Sequence, residues 1–432
     1  MKDLPVGGSI FAKHSFSIIL GLALLFLLII QNINGNFGMH DFEVYYTAAK
    51  SFLNGNAVYG KAFGLSSGFF KYAPVTLILF IPFVFLPFMI AKVIYFLLVA
   101  FLTVLTFQYC SKIIGRQFYQ ERGRPAEAIL FIVLAITGAH LFREMDLGNI
   151  NMLLLFLFVL ALLRFESGKD IQAGLLMGAG ALIKPHFLLL LPLLVMRKKI
   201  KASVAFIALL VVGFCMPILF AGVTKGIALN TSWMEAVREH NQSLLGYPDT
   251  IYSLLYHGFV KNLLPNAGQG FALSILVFIG IGFAFFVLGN MRREQRRKNN
   301  DHNTFAISPG FCFEYFFLIA CIPNLMATDT EHFLLSIPMV LFIVRYLVEN
   351  KRYVLISFFM LFTFLSYSDF GNDVFGKTLS DWLELHGFTG LGNLLILSFS
   401  LILFLFFSGP KYKIGPSNPK PSSVMGEGSF LL

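Results

Sequence analysis

Long apolar runs, separated by short polar and basic stretches, recur from one end of the chain to the other. A helix needs about 20 mostly apolar residues to cross the hydrocarbon core of a bilayer, and many of these runs approach that length. The pattern predicts an all-α polytopic membrane protein with about 12 transmembrane helices. The predicted spans are 15–31, 90–114, 126–141, 150–163, 171–183, 187–196, 202–220, 271–290, 305–323, 333–348, 353–366 and 391–407.

The apolar stretch 73–87 is an exception, because we expect it to lie along the membrane interface. Pro82 and Pro87 interrupt its helical pattern. The basic residues between 112 and 124 belong in the cytoplasm by the positive-inside rule. Only an odd number of crossings after the first outer loop brings them there, so 90–114 is predicted to cross and 73–87 is not.

Lys184 lies between two short apolar segments, 171–183 and 187–196. One continuous helix would place its charge near the bilayer centre, at a cost of about 2.5–3.5 kcal/mol. Both flanking loops are basic and therefore belong on the same side of the membrane. The pattern favours a helical hairpin with Lys184 at its outer turn.

The composition supports the same class of protein. The chain of 432 residues is 57% hydrophobic and 13% charged, which is far from the composition of a soluble domain. No separate soluble domain is visible. We predict one transmembrane domain over 1–410, with a first outer loop at 32–89. The segment 411–432, rich in proline, serine and glycine, is expected to be a flexible cytoplasmic tail.

The formal net charge of +10 follows the predicted topology. Most of the 33 lysines and arginines fall in predicted cytoplasmic loops and tails, as the positive-inside rule requires, so the charge does not indicate a nucleic-acid partner. Most of the nine histidines and several acids fall on the outer side instead. Titratable groups therefore gather at one membrane face, as expected of an active site at the outer leaflet of the cell membrane.

The first outer loop carries the acid on which the candidate site depends. Asp41 follows the first span and stands in an amphipathic helical segment, 39–53, next to the membrane. The turn-forming sequence Asn54-Gly55-Asn56 ends this segment, and Tyr72-Ala73-Pro74 opens the next apolar run. A carboxylate just above the bilayer suits chemistry on a lipid-borne substrate.

These features and several later motifs resemble the polyprenyl-phosphate-mannose-dependent α-mannosyltransferase family of the C-type glycosyltransferase superfamily. The later motifs are Gly148-Asn149-Ile150-Asn151 before a leucine-rich span, 173–178 leading into Leu182-Ile183-Lys184-Pro185, Asn241-Gln242-Ser243-Leu244, and an outer His332. The matched blocks cover 41–338, most of the chain. The family usually has Gly-Gln where this chain has Gly148-Asn149.

The resemblance implies an inverting transfer of a sugar, mannose in that family, from a polyprenyl phosphate to an acceptor hydroxyl of a glycan or glycolipid. The acceptor hydroxyl needs a general base, and Asp41 is the candidate catalytic residue. Cations must meet the charge that develops on the leaving phosphate. The candidate substrate-binding residues are His40, Glu43, Tyr46, Lys71, Tyr72, Arg143, Asp146, Asn149, Lys184, His186, Asn241, Gln242 and His332.

No cofactor is expected to be required, because a cationic phosphate site makes a divalent metal unnecessary. Asp41, Glu43 and Asp146 could nevertheless hold a metal ion. The four cysteines show no spacing typical of a metal site. The expected partners are therefore the polyprenyl-phosphate-linked sugar, the acceptor and the membrane lipid.

Each candidate residue also has a structural interpretation. Asp41 could be the N-cap of a helix that begins at residue 42, and Glu43 a first-turn acid favoured by the helix dipole. Arg143 and Lys184 could extend to the interface from span ends, and His332 could be an interfacial residue. The sequence at 241–243 also matches a glycosylation sequon.

Two other functions are open at this point. A transporter or flippase would place its ionisable residues near the bilayer midplane, on broken helices related by an internal repeat. No convincing repeat is visible in the sequence. In a membrane scaffold or polymerase-assembly component, Asp41 would be dispensable.

Overall fold

The computed structural model describes residues 10–63, 68–119, 127–240, 244–263, 268–298, 307–326, 329–368, 374 and 376–406. Within these ranges the chain is helical, and the only pairing of extended backbone is an isolated bridge between Ala62 and Phe69. The all-α prediction is confirmed. Arg122, Arg124 and the predicted tail at 411–432 lie outside the described residues.

Seventeen α-helices follow one another along the described chain. They are α1 Ile10–Ile33, α2 His40–Leu53, α3 Leu77–Val84, α4 Phe88–Tyr119, α5 Glu127–Leu147, α6 Asn151–Glu166, α7 Asp170–Ile183, α8 Leu190–Met196, α9 Ile200–Ala221, α10 Val223–His240, α11 Ile251–Leu255, α12 Gln269–Lys298, α13 Pro309–Leu325, α14 Ile337–Glu349, α15 Tyr353–Ser366, α16 Lys377–Leu385 and α17 Phe388–Phe406. Short 3₁₀ segments at Pro74–Thr76, Pro185–Leu189, Leu244–Gly246 and Thr330–Ser336 and a π-helical turn at Tyr256–Val260 connect some of them.

Among the described residues, seven helical segments are long and apolar enough to cross a membrane: His14–Ile33, Phe88–Tyr119, Glu127–Leu147, Ile200–Ala221, Gly270–Arg296, Thr330–Glu349 and Phe388–Phe406. The remaining predicted spans also form helices, but shorter ones. They correspond to α6, α7, the pair of segments Pro185–Met196, α13 and α15, of which α13, with 17 residues, is the longest. The prediction of a polytopic bundle is therefore confirmed.

Helix α3 is too short to cross the membrane. Its eight residues extend about 12 Å, against a hydrocarbon core of about 30 Å. The prediction that 73–87 does not span agrees with this length. The expected interruption at Pro82 is wrong, because the helix continues through that residue to Val84.

Small residues bring α7 and α9 into close contact. A Cβ atom on Gly174 would meet the backbone of Ala202, and one on Gly178 would meet the carbonyl oxygen of Phe206. Glycine permits such close helix packing in membranes. The contacts advance by four residues on both helices, from Gly174 and Ala202 to Gly178 and Phe206, so the two helices run in the same direction. The segment between them must run back, which agrees with the predicted hairpin. Lys184 lies at its turn, in extended backbone after α7.

The predicted span 126–141 was expected to be followed by a polar outer loop up to residue 149, and this is wrong because helix α5 continues to Leu147. Only Gly148, Asn149 and Ile150 separate α5 from α6. The last turns of α5 hold polar residues because these have partners. Glu144 accepts hydrogen bonds from the Asn151 side chain and the Met152 amide, and Asp146 accepts one from Gln31.

Candidate active site

A cavity of about 450 Å³ lies at one end of the bundle. Its walls come from the first turn of α2, the segment 68–72, the α5–α6 joint, the turn after α7 and the 3₁₀ turn that precedes α14. Eight of the candidate residues line it: His40, Asp41, Lys71, Tyr72, Asn149, Lys184, His186 and His332. The fold therefore gathers residues that are up to about 290 positions apart in the sequence into one pocket of ordinary ligand-binding size.

The start of α2 is fixed against the α5–α6 joint. The Met39 amide donates to the carbonyl oxygen of Asp146 at 3.1 Å, and the Met39 side chain packs on Gly148. Gly148 has a φ of +65°, a conformation that glycine adopts without strain. The N-cap is Met39, whose side chain makes no capping bond, so the interpretation of Asp41 as a cap is wrong. The Asp41 carboxylate faces the cavity instead.

Asn149 joins two carboxylates. Its Nδ2 donates to Asp41 Oδ2 at 2.7 Å and to Glu331 Oε1 at 2.9 Å, while its Oδ1 accepts from the Ile150 amide at 2.7 Å. The amide is therefore held in one orientation from both ends. This arrangement fixes one oxygen of Asp41 and leaves the other for a ligand.

Burial raises the pKa of Asp41 to about 6, while the positive charges of Lys184, Lys71 and Arg143 oppose that rise. A general base is most effective when its pKa lies near the working pH. Asp41 is therefore ionised at neutral pH and still basic enough to accept a proton.

Lys184 is buried in the wall that the turn after α7 contributes. Its Nζ donates to Asn151 Oδ1 at 2.7 Å and lies 2.6 Å from His332 Nε2. With a protonated lysine, His332 Nε2 accepts and Nδ1–H donates to the Asp329 carbonyl oxygen, 3.1 Å away. Burial lowers the pKa of Lys184, and the carboxylates of Glu144 and Glu331 oppose that effect.

Two buried acids were missed by the sequence analysis. Glu144 is fully buried below Asn151, and Glu331 accepts from Arg143 Nε at 3.1 Å as well as from Asn149. The signal available in the sequence was the presence of acids inside or at the edge of apolar spans, where charge is costly unless it is paired. Together these acids balance Lys184 and Arg143.

The other candidate residues lie elsewhere. Arg143 binds Glu331 with half of its side chain exposed, and Asp146 binds Gln31. Glu43 is half-buried and lies 3.9 Å from His40. The Tyr46 hydroxyl donates to the Leu86 carbonyl oxygen, so its polar atom is used in packing. The predicted Asn241 and Gln242 lie outside the described residues.

The acids named for a metal ion are not gathered in one place, because Glu43 and Asp146 do not line the cavity that Asp41 lines. A different group, Asp329, Glu331 and His332, has its ligand atoms within 4.8 Å of one another. Glu331 already accepts from Arg143 and Asn149, and His332 from Lys184. Two of the three possible metal ligands are therefore already engaged by Arg143, Asn149 and Lys184.

The helical membrane bundle has at one end a cavity lined by the half-buried Asp41, the half-buried Lys71 and the buried Lys184. These features define a multi-pass membrane protein with a polar site. The family model for glycosyltransferase family 87 matches residues 69–308, and the chain belongs to this family. It is therefore a membrane glycosyltransferase of the C type. The resemblance stated from the sequence is confirmed at this level. No curated protein matches the chain.

Proposed function

We propose that the protein transfers mannose from a polyprenyl-phosphate donor to an acceptor hydroxyl, with inversion and with Asp41 as the general base. The observation that carries the proposal is the cavity in which the Asp41 carboxylate shares walls with Lys71 and Lys184. A reaction of this kind needs a base on one side of the sugar and positive charge at the leaving phosphate.

The reaction is a single displacement. The acceptor oxygen forms a bond to C1 of the sugar as its proton passes to Asp41. The bond from C1 to the phosphate oxygen breaks, and its electron pair leaves with the polyprenyl phosphate. Asp41 has its second oxygen available for the proton, because Asn149 engages only one. Glu331 is buried behind Asn149 and does not line the cavity, so it is not placed to act as a nucleophile.

Lys184 and Lys71 supply the positive charge. An ammonium group has three donors, and Lys184 uses one on Asn151 and directs one to His332. The third is available to a phosphate oxygen. Lys71 lines the same cavity and interacts with the charge of Asp41, and His186 lines the wall next to Lys184. These groups stabilise the leaving phosphate without a required metal ion or other cofactor.

The proposed location of the cavity is the extracytoplasmic face of the cell membrane. Two ion pairs lie at the ends of α6 and α14 that are remote from the cavity. They are Arg116–Glu166, at 3.7 Å, and Arg345–Glu349, at 3.1 Å. The basic loops at this far end suit the cytoplasmic side. A lipid-linked donor would then enter from the bilayer and meet the base at the outer surface, where a glycan or glycolipid acceptor is accessible.

The test is transfer from labelled polyprenyl-phosphate mannose by purified protein in lipid nanodiscs. Asp41→Asn should lower kcat by about two orders of magnitude or more, in line with the loss of a general base. Glu43→Gln is the matched control, since it removes a half-buried acid that lies in the same first turn and does not line the cavity. Equal rates in the two variants would remove Asp41 as the base.

The runner-up function is transport of a lipid-linked or polar substrate. Membership of a glycosyltransferase family favours transfer. The cavity also lies at one end of the bundle, whereas a transporter holds its substrate near the midplane. The same nanodisc assay separates the two functions, because a transporter would leave the labelled sugar on its polyprenyl phosphate.

A further inference from the structure

A second cavity of about 650 Å³ lies between the end of α1 and the end of α5. We call it the α1–α5 groove. It adjoins the catalytic cavity at one side chain, His40, which lines both. Its size is within the usual range for small-molecule sites. The transfer reaction has two substrates, and the groove is large enough to receive one of them.

One part of the groove is apolar. Leu27 and Ile30 of α1 and Phe142 of α5 line it, and the Phe142 side chain is 52% exposed. The neighbouring residues on α1, Ile29 and Ile33, are also exposed and form the surface expected to face lipid. A hydrocarbon chain could therefore pass from the bilayer into the groove without meeting a polar barrier.

The other part of the groove carries neutral hydrogen-bonding groups. Gln31 is buried, and its Nε2 donates to Asp146 Oδ1 at 2.7 Å. Its Oε1 is buried with no hydrogen-bond partner among the described residues. An unsatisfied buried acceptor costs about 1–3 kcal/mol, which a ligand hydroxyl would recover by donating to it. Asn34 and Asn36, both exposed, add amide donors and acceptors to the same wall.

The charge of the groove differs from that of the catalytic cavity. Among the described residues that line it there is no lysine or arginine, and Asp146 is an acid. Arg143 is near Asp146, but its Nε is committed to Glu331. A phosphate in the groove would meet a carboxylate, whereas sugar hydroxyls can both accept from amides and donate to Asp146.

From these observations we infer that the α1–α5 groove binds the acceptor, and that the acceptor is a neutral sugar head group carried on a hydrocarbon chain. The inference rests on the proposed transfer function. The two substrates are then separated by charge: the phosphate donor lies against Lys71 and Lys184, and the neutral acceptor lies beyond His40. An acceptor hydroxyl that passes His40 reaches Asp41, the next residue along α2.

Binding can be tested without turnover. The probe is octyl α-mannoside with a diazirine at the end of its chain, photolysed with the full-length protein in nanodiscs. We expect saturable labelling of peptides from α1 and α5. Excess unlabelled octyl α-mannoside should compete, whereas octyl phosphate, which has the same chain and an anionic head, should not. Labelling that never saturates, or that octyl phosphate displaces equally, would overturn the assignment.

Two matched pairs of variants locate the site. Ile30→Trp fills the apolar part and should reduce saturable labelling about tenfold, whereas Ile29→Trp alters an exposed neighbour outside the groove and should leave it unchanged. Asn34→Ala should weaken binding several-fold through the lost hydrogen bond, and Asn32→Ala, two residues earlier and outside the groove, should not. Equal effects within either pair contradict the proposal.

Kinetics separate this inference from the transfer reaction itself. In the mannose-transfer assay with octyl α-mannoside as acceptor, Ile30→Trp should raise the KM for the acceptor about tenfold and leave the KM for the donor unchanged. Labelling should persist in Asp41→Asn, which keeps the groove intact. A protein that shows no transfer but retains saturable labelling would contradict the proposed function and leave the groove as a glycoside site.

Discussion

At the scale of single residues, the site depends on how each charge is paired. Asn149 holds Asp41 and Glu331 through one amide nitrogen, and Asn151 connects Lys184 to Glu144. Neutral amides thus stand between two acids and between an acid and a lysine. Because the amides are neutral, they supply hydrogen bonds to these charged groups without neutralising the charges that a reaction would use.

The pKa of Asp41 leads to a prediction about pH. A base must be ionised, so kcat/KM should rise with pH through about 6 and level off above about 7, where the carboxylate is roughly 90% ionised. The measurement is the pH profile of transfer at subsaturating donor in nanodiscs. The residual activity of Asp41→Asn should lack this rise. A wild-type profile that is already flat down to about pH 4.5 would contradict the raised pKa.

At the scale of elements, the joint between α5 and α6 positions the first turn of α2. Gly148 allows the tight break, and Met39 packs on it while donating to Asp146. Asp41 and Asn149 meet because the start of α2 fits against this joint. Most of the packing of α2 comes from residues such as Phe42 and Tyr45, which face the core. Function and stability therefore depend on different residues of this helix.

Gly148→Ala should disturb this fit. A Cβ atom would approach Met39 Cε to 2.6 Å, and this flexible end can rotate away. It would also approach Phe42 Cβ to 3.0 Å and Met39 Cβ to 3.2 Å, so the start of α2 must give by a few tenths of an ångström, which disturbs the bond between Asp41 and Asn149. We expect kcat to fall at least about tenfold, because small displacements of a catalytic group are costly.

Gly168→Ala is the control for that change. Gly168 has a similar φ, +70°, but nothing lies within 4 Å of the position that an added Cβ would take, so the variant has the backbone strain without the clash. The unfolding temperature should fall slightly in Gly168→Ala and further in Gly148→Ala, where the close contacts with α2 add to the strain. If Gly168→Ala lost as much activity as Gly148→Ala, the effect would come from strain alone and the role of the joint would be refuted.

At the scale of the whole molecule, the two ends of the bundle have different tasks. The cavity end gathers the candidate chemistry, and the opposite end holds structural ion pairs. Arg197, after α8, donates from Nε to Glu314 Oε2 at 2.6 Å and from Nη1 to Glu294 Oε2 at 2.7 Å. Asn290 donates to the same Glu314. This network ties the α8–α9 turn to α12 and α13.

Arg197→Gln should therefore destabilise the protein without changing its chemistry. It leaves Glu314, which is fully buried, without its cation, a change that typically costs about 3–5 kcal/mol. We expect a lower unfolding temperature in nanodiscs and an unchanged KM for the donor at low temperature. Arg352→Gln, an exposed arginine at the start of α15, should unfold as the wild type does. A raised donor KM in Arg197→Gln alone would link this end to the site.

The sequence by itself determined the class of the protein and singled out Asp41 as the candidate acid, since these depend on local hydropathy and on motif order along the chain. It correctly placed Lys184 at a turn, because a lysine inside a span is too costly. It ended α5 too early, since hydropathy cannot show that Glu144 and Asp146 have partners. Only the tertiary structure decided those partners, with Gln31, Asn149 and Asn151 reaching the acids from other segments. Only the packed helices, by their close approach, created two cavities of different charge that meet at His40, because contacts between distant segments leave no periodic signal in the chain.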